Sequence, residues 1–221
     1  MKNQVKPFAV VAFILISVSV VVAQDNYEDR DDNQIQSLFK GRKSASGGYG
    51  AITNKFTSIG GEYANLVGVY GGWYINHSFL IGAGAAALTN DIRVPLVHSV
   101  DPLKEMSYMY GQVGMVTEYV IASNQTVHVA FNLFSGAGFT LQYERYGWHD
   151  DDHEFDWDEN CDEDWFFVVE PGVQVEINVF KWMRFSPGVS YRAAFDSHAR
   201  GLSDSALSDI SYNATLKFGK F

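Results

Sequence analysis

Beyond its first two dozen residues, the sequence contains no long uninterrupted apolar run. That absence excludes a bundle of membrane-spanning helices, each of which needs about 20 consecutive apolar residues. It does not exclude strands, whose alternating faces average to mild hydropathy. Cysteine is nearly missing. Cys161 stands alone, so no intramolecular disulfide can form and an exported disulfide scaffold is excluded. Basic residues are few, 16 Lys and Arg against 26 Asp and Glu, for a net charge of −10. Without a basic patch, nucleic acid is not an expected partner. A helical repeat of 3.6 is also lacking. What replaces it is 15% aromatic residues, frequent glycine and only 19% charged residues.

The one compact apolar run is at the start. Lys2 and Lys6 precede Phe8 to Val22, and Val21-Val22-Ala23 offers small or compact residues for a peptidase. This reads as a cleavable secretory signal over 1–23, too short to span a bilayer as a helix. No cysteine stands at the cleavage point, so a lipid anchor is not expected. Loss of Lys2 and Lys6 would leave a mature charge of −12. Residues 24–46 are polar and read as a periplasmic tether. The remaining segment, 47–221, carries the fold.

From Gly47 onward the pattern has period two, the signature of strands with one apolar face. The clearest case is Val127 to Tyr143. Val127, Val129, Phe131, Leu133, Phe139 and Leu141 share one face; His128, Asn132, Gly136, Gly138 and Gln142 share the other. The alternation recurs over Trp165–Val179, Met183–Phe195 and Ile210–Phe218, and more weakly over Gly48–Ile59, Tyr63–Ile75, Phe79–Thr89 and Met106–Val120. Eight strands result, each near or above the 9–11 residues that a tilted strand needs to cross a bilayer. The expected fold class is all-β, an eight-stranded antiparallel up-and-down transmembrane barrel.

The links give an orientation. Those at 76–78, 122–126 and 181–182 are short, as in periplasmic turns; those at 91–105, 144–164 and 196–209 are long, as in extracellular loops. The link at 58–61 is short although it falls on the long-loop side. Trp73, Tyr74, Phe79, Tyr119, Trp182 and Phe221 gather toward the turn end, and Tyr63, Tyr143, Trp165 and Phe195 toward the loop end. Two such belts suit the two interfaces of a membrane. The chain ends Tyr212-Asn-Ala-Thr-Leu-Lys-Phe218-Gly-Lys-Phe221. With the leader and the eight alternating strands, this ending resembles the small outer-membrane barrels of the OmpA/OmpX type. The resemblance implies a bacterial outer-membrane location, contact with outer-membrane lipids and lipopolysaccharide, and recognition of the last strand by the barrel-insertion machinery. Phe221 is out of phase with Tyr212, Leu216 and Phe218. Either Phe218 carries that signal or the last residues leave strand geometry.

If the apolar faces meet lipid, the other faces line the lumen. Glu118, Glu170, Glu176, Arg184, Arg192 and Lys217 then point inward, with His128 and Lys55. An eight-stranded barrel is only wide enough for side chains to fill, so these charges are expected to pair. A turn at Lys181-Trp182 sets Asn178 opposite Arg184 and Glu170 opposite Arg192, and predicts an ion pair between the last two. The competing reading of the same alternation is a soluble β-sandwich or lipocalin-like barrel, with these charges outside.

Ten acids fall within 150–164, with no lysine or arginine among them. Asp156, Asp158, Asn160, Asp162 and Asp164 alternate like the start of a calcium loop, but Cys161 replaces the expected glycine and Phe167 the terminal glutamate. Weak binding of Ca2+ or Mg2+ is the metal expectation, and no other cofactor is expected. The role expected for the chain is structural or surface-interactive, as a monomer, through the three long loops and without catalysis. The alternative is a lipid A deacylase or acyltransferase, which needs Ser and His within reach of each other. His198 with Ser197, Ser203 or Ser205 at the loop rim is the available candidate set.

Overall fold

A computed structural model describes residues 47–76, 78–145 and 162–221. Eight long strands form there: β1 (Gly47–Ile59), β2 (Glu62–Ile75), β3 (Phe79–Leu88), β5 (Met106–Ile121), β6 (Val127–Glu144), β7 (Asp164–Phe180), β8 (Met183–Phe195) and β9 (Asp209–Gly219). A two-residue strand β4 (Ile92–Arg93) pairs with the top of β5, and a single helical turn α1 (Asp204–Leu207) precedes β9. Neither short element was expected, because both lie inside segments that read as loops.

Each strand pairs antiparallel with its neighbour, β1 also pairs with β9, and β3 with β5 closes the ring. The closure has a measurable stagger. The ladder runs from Ile177 through Phe185, Leu216, Ile52, Val69, Ala85, Val113 and Ala137. It then returns to β7 at Phe167, ten residues from its start. Ten residues over eight strands correspond to a strand tilt of about 40°. Every side chain on that path is apolar and faces out. This is the physical content of the alternation: one face of every strand is committed to the outside.

The outside is apolar and the inside polar, the reverse of a soluble barrel. Trp73 is 65% exposed and Met115 55%, and Val69, Val113, Phe131, Val173 and Leu216 are likewise exposed. Their neighbours Gln112, Glu118, Glu170, Gln174, Glu176, Arg184 and Lys217 are buried. The soluble-barrel reading fails on this point, since water would have to solvate the greasy face. The outward set of β6, β7 and β8 is the odd-numbered one.

The connections follow the expected alternation of short and long. Gly60 and Gly61 both hold positive φ, 63° and 82°, as a two-residue hairpin of the right twist demands. That tight turn explains the short link on the long-loop side. In the wall, glycine is required where facing strands curve together. A Cβ at Gly72 would lie 2.2 Å from the Ile81 carbonyl, and one at Gly114 would lie 2.4 Å from that of Ser135.

Candidate functional site: a charged lumen under a loop cap

The inward alternation of β1, β5, β7, β8 and β9 delivers charged side chains to two levels of the lumen. At the turn end, Lys217 on β9 donates to both Glu118 on β5 and Glu176 on β7, and all three side chains are fully buried. Glu176 also accepts from Arg184 Nη1 at 2.9 Å and contacts His128 Nε2 at 2.8 Å. Glu118 accepts from the hydroxyls of Tyr49 at 2.7 Å and Tyr70 at 3.4 Å. Each carboxylate therefore has more than one partner, the condition under which a buried ion is tolerated.

The level nearer the loops is built differently. Lys55 on β1 reaches across the lumen to both oxygens of Glu170, at 2.8 and 2.7 Å. Glu170 also accepts from Ser190 Oγ at 2.6 Å and Gln112 Nε2 at 3.1 Å. Arg192 does not join it. Its Nε donates to the Leu207 carbonyl at 2.6 Å and its Nη2 to that of Ser58 at 2.7 Å, with the guanidinium over the Tyr110 ring. The predicted Glu170–Arg192 ion pair is thus corrected. The register itself is as predicted, with Asn178 opposite Arg184 and Gly172 opposite Ser190. Facing positions do not dictate which cation a carboxylate takes when a long lysine from the opposite wall can arrive first. Between the levels the lumen is uncharged, lined by Thr53, Gln174, Ser186, Asn213 and Thr215.

Both mouths are covered. At the turn end β9 stops at Gly219, and Phe221 swings inward beneath Arg184, 3.9 Å from guanidinium carbon to ring centre. It also packs on Tyr49 and Tyr74, at 5.1 and 6.4 Å between centroids. Tyr74 and Phe221 therefore belong to the lumen, not to the aromatic belt where the sequence placed them. Tyr74 has inward parity next to outward Trp73, and Phe221 has left the strand. Beside them opens a cleft of about 640 Å³ lined by Ser123, Asn178, Lys181, Arg184 and Phe221.

At the loop end, 196–208 folds over the barrel. Leu202 and Leu207 are buried with Ile59, Tyr108 and Ile92. Gly60 N–H donates to the Ala206 carbonyl at 2.8 Å, and Tyr108 Oη to that of Arg200 at 2.7 Å. The 89–105 loop adds Val94 to the same cluster and is tied by Gln142, which accepts from Val100 N–H and donates to the His98 carbonyl.

Of the five residues proposed as metal ligands, Asp156, Asp158 and Asn160 lie outside the described residues. Asp162 and Asp164 are in place and engaged by protein. Asp164 Oδ2 accepts from His198 N–H at 2.9 Å, Ala199 N–H at 3.0 Å and Ser197 Oγ at 3.1 Å. Asp162 Oδ2 accepts from Arg200 N–H at 3.3 Å. These contacts fasten one long loop to the foot of another. No local pattern announces them, because all but the Ser197 hydroxyl are backbone donors that any loop could offer. The rim set for catalysis is not assembled among the described residues. Ser197 is bound to Asp164 and the Leu202 carbonyl, Ser203 and Ser205 contact each other at 3.0 Å, and no serine hydroxyl meets a histidine ring. Tyr49, Gln112 and Ser190 were missed as partners. Their inward parity was readable, but their contacts cross the barrel between strands distant in sequence.

The sequence matches no protein-family model and no curated protein. Solved structures do match. Neisserial surface protein A superposes with a TM-score of 0.57 at 9% identity, covering 81% of this chain and 100% of that one. The attachment invasion locus protein Ail of Yersinia pestis gives 0.43 at 11% identity, over 79% of this chain and 97% of that one. The N-terminal β-barrel domain of Pseudomonas aeruginosa OprF gives 0.45 at 6% identity, over 77% and 96%. At such identities the likeness concerns the fold alone. The fold is that of a small, closed, eight-stranded outer-membrane β-barrel.

Proposed function

We propose that this chain is an integral outer-membrane barrel that does not conduct and that works through the loops it holds above the membrane. The observation that carries the reading is the filled lumen. Two levels of buried ion pairs are closed by Phe221 at one mouth and by Leu202 and Leu207 at the other. A barrel built for passage would spend its interior on a water-lined path. Here the interior is spent on rigidity, and rigidity serves what is mounted on top. The loop segments 89–105 and 196–208 are pinned to the barrel by the contacts above, yet they leave Leu96, Val97 and Leu103 exposed. A fixed loop bearing solvated apolar side chains suits recognition of a partner at the surface. Catalysis has no assembled serine and histidine to support it among the described residues. Weak divalent-cation binding remains part of the proposal only for the acidic segment 150–161.

The test uses cells and planar bilayers together. In a Cys161→Ser background, Leu103→Cys should react with a membrane-impermeant maleimide on intact cells, and Lys181→Cys should react only after the outer membrane is opened. The purified chain should give no steady conductance above the lipid baseline. Labelling of Lys181→Cys on intact cells, or a steady open channel, would overturn the reading.

A further inference from the structure

The cleft at the turn end lies beside the ion-pair network of the lumen and has a chemistry of its own. Three segments meet there: the 122–126 link, the end of β7 with the Lys181-Trp182 turn, and Phe221 at the end of the chain. Its volume of about 640 Å³ falls within the range that holds small organic ligands, roughly 300–1,000 Å³. Val179, Phe180 and Phe221 supply apolar surface, and Ser123, Asn178, Lys181 and Arg184 supply polar groups. Two cations and no acid stand among the described residues that line it.

Arg184 sets what the cleft can hold. Its side chain is only 4% exposed. A guanidinium offers its N–H groups in a rigid fork, and Nε and Nη2 share one edge of that fork. Nη1 is engaged by Glu176 at 2.9 Å. On the Nε–Nη2 edge the protein supplies little. Nε is buried without a hydrogen-bond partner, and Nη2 has the Ser123 carbonyl at 3.4 Å. The same carbonyl takes Asn178 Nδ2 at 3.5 Å, while the short contact of that amide, 2.6 Å, goes to the Gln125 carbonyl. Both contacts of the Ser123 carbonyl are therefore long and yield at small cost. Ser123 lines the cleft, so the under-satisfied edge is turned toward it. A buried charged donor without a partner is costly, and an acceptor with two coplanar oxygens removes that cost.

The surroundings suit a ligand with an apolar body. Phe180 stacks on Trp182 with centroids 5.5 Å apart and planes 6° apart, and Phe221 lies 3.9 Å from the guanidinium carbon. Both rings are thereby fixed next to the cations. Lys181, exposed on the adjoining turn, adds a second positive charge.

We propose that this cleft binds a small organic carboxylate. The acid group takes the Nε–Nη2 edge of Arg184 with Lys181 beside it, and the apolar body rests on Phe180, Val179 and Phe221. One open fork edge matches the two oxygens of a carboxylate. The apolar lining distinguishes the site from a trap for inorganic anions. The cleft lies at the mouth opposite the loops, so the site is independent of the surface role proposed above.

The test uses the full chain folded in phosphatidylcholine vesicles, with Trp182 as its only tryptophan and the others replaced by phenylalanine. The probe is para-nitrobenzoate, whose nitro ring quenches tryptophan on contact and would lie against Phe180, the stacking partner of Trp182. Quenching should saturate. Arg184→Lys keeps a positive charge for Glu176 but removes the fork, and should raise the half-saturation concentration about tenfold. Lys181→Gln removes an exposed charge and should raise it by less, about threefold. Lys220→Gln, an exposed lysine at the same end but outside the lining, should leave it unchanged. Para-nitrobenzyl alcohol, similar in shape but uncharged, should quench without saturating. Quenching by para-nitrobenzoate that does not saturate, an unchanged half-saturation with Arg184→Lys, saturable quenching by the alcohol, or displacement of the probe by millimolar inorganic phosphate would each overturn the proposal. Heat-modifiable migration on gels verifies that each variant has folded. Should Arg184→Lys fail to fold, Lys181→Gln on its exposed turn decides, and an unchanged half-saturation there overturns the proposal as well.

Discussion

Lys217→Met should be among the most damaging single substitutions in the barrel, and the structure says which neighbour suffers. Lys217 is fully buried and bridges Glu118 and Glu176. Removing the cation does not harm the two acids equally. Glu176 keeps Arg184 at 2.9 Å and His128 at 2.8 Å. Glu118 keeps only the neutral hydroxyls of Tyr49 and Tyr70. Leaving one buried charge without its counter-ion costs about 3–5 kcal/mol. Adding Glu118→Gln to Lys217→Met should therefore return about half of the loss, because an amide needs hydrogen bonds and not a counter-charge. Adding Glu176→Gln should return nothing, since it strands Arg184 in turn. Urea titration of vesicle-folded protein, followed by tryptophan fluorescence and by heat-modifiable gel migration, measures all three. A loss below about 1 kcal/mol for Lys217→Met, or equal rescue by the two glutamine substitutions, would refute the reasoning.

Met115→Arg, on the outward face, should cost about 2–4 kcal/mol in vesicles, whereas Leu103→Arg, on a loop residue 96% exposed, should cost close to nothing. Two comparable losses in the same urea assay would mean that the outward face is not in lipid. A double-mutant cycle between Lys55 and Glu170 should show strong coupling, with Glu170 and Arg192 near zero, because only the first pair is in contact. Asp164→Ala removes three hydrogen bonds that hold 197–199. It should speed amide exchange across 196–208 while leaving barrel amides slow. Unchanged exchange in that loop would show that its packing through Leu202 and Leu207 suffices.

Much of the barrel was legible because period two is a local signal. Val173, Val175 and Ile177 against Gln174 and Glu176 already tell inside from outside, whereas the register across Lys181-Trp182 also depends on an irregularity between Asn178 and Phe180, since the turn itself pairs Phe180 with Met183. What was not legible depends on distance across the lumen. Glu170 could be assigned to the interior from its parity. Its partner Lys55 lies 115 residues away on the opposite wall, and no local pattern encodes that meeting. Tyr74 and Phe221 were misplaced for a related reason. Aromatic residues near a strand end fit either an interfacial belt or a plug, and only the closed ring shows that these two turn inward onto Tyr49. Likewise β4 is too short to announce itself, and it exists because Ile92 and Arg93 find the free edge at the top of β5.

The central claim is that the outward face of every strand is solvated by lipid and the inward face is not. Adjacent residues on β2 test it most directly. In a tryptophan-free background, a single tryptophan replaces outward Val69 in one variant and inward Tyr70 in another, and each is exposed to vesicles whose acyl chains carry bromine. The account predicts strong quenching for Val69→Trp and little for Tyr70→Trp. Equal quenching at the two positions, or the reverse order, would contradict it.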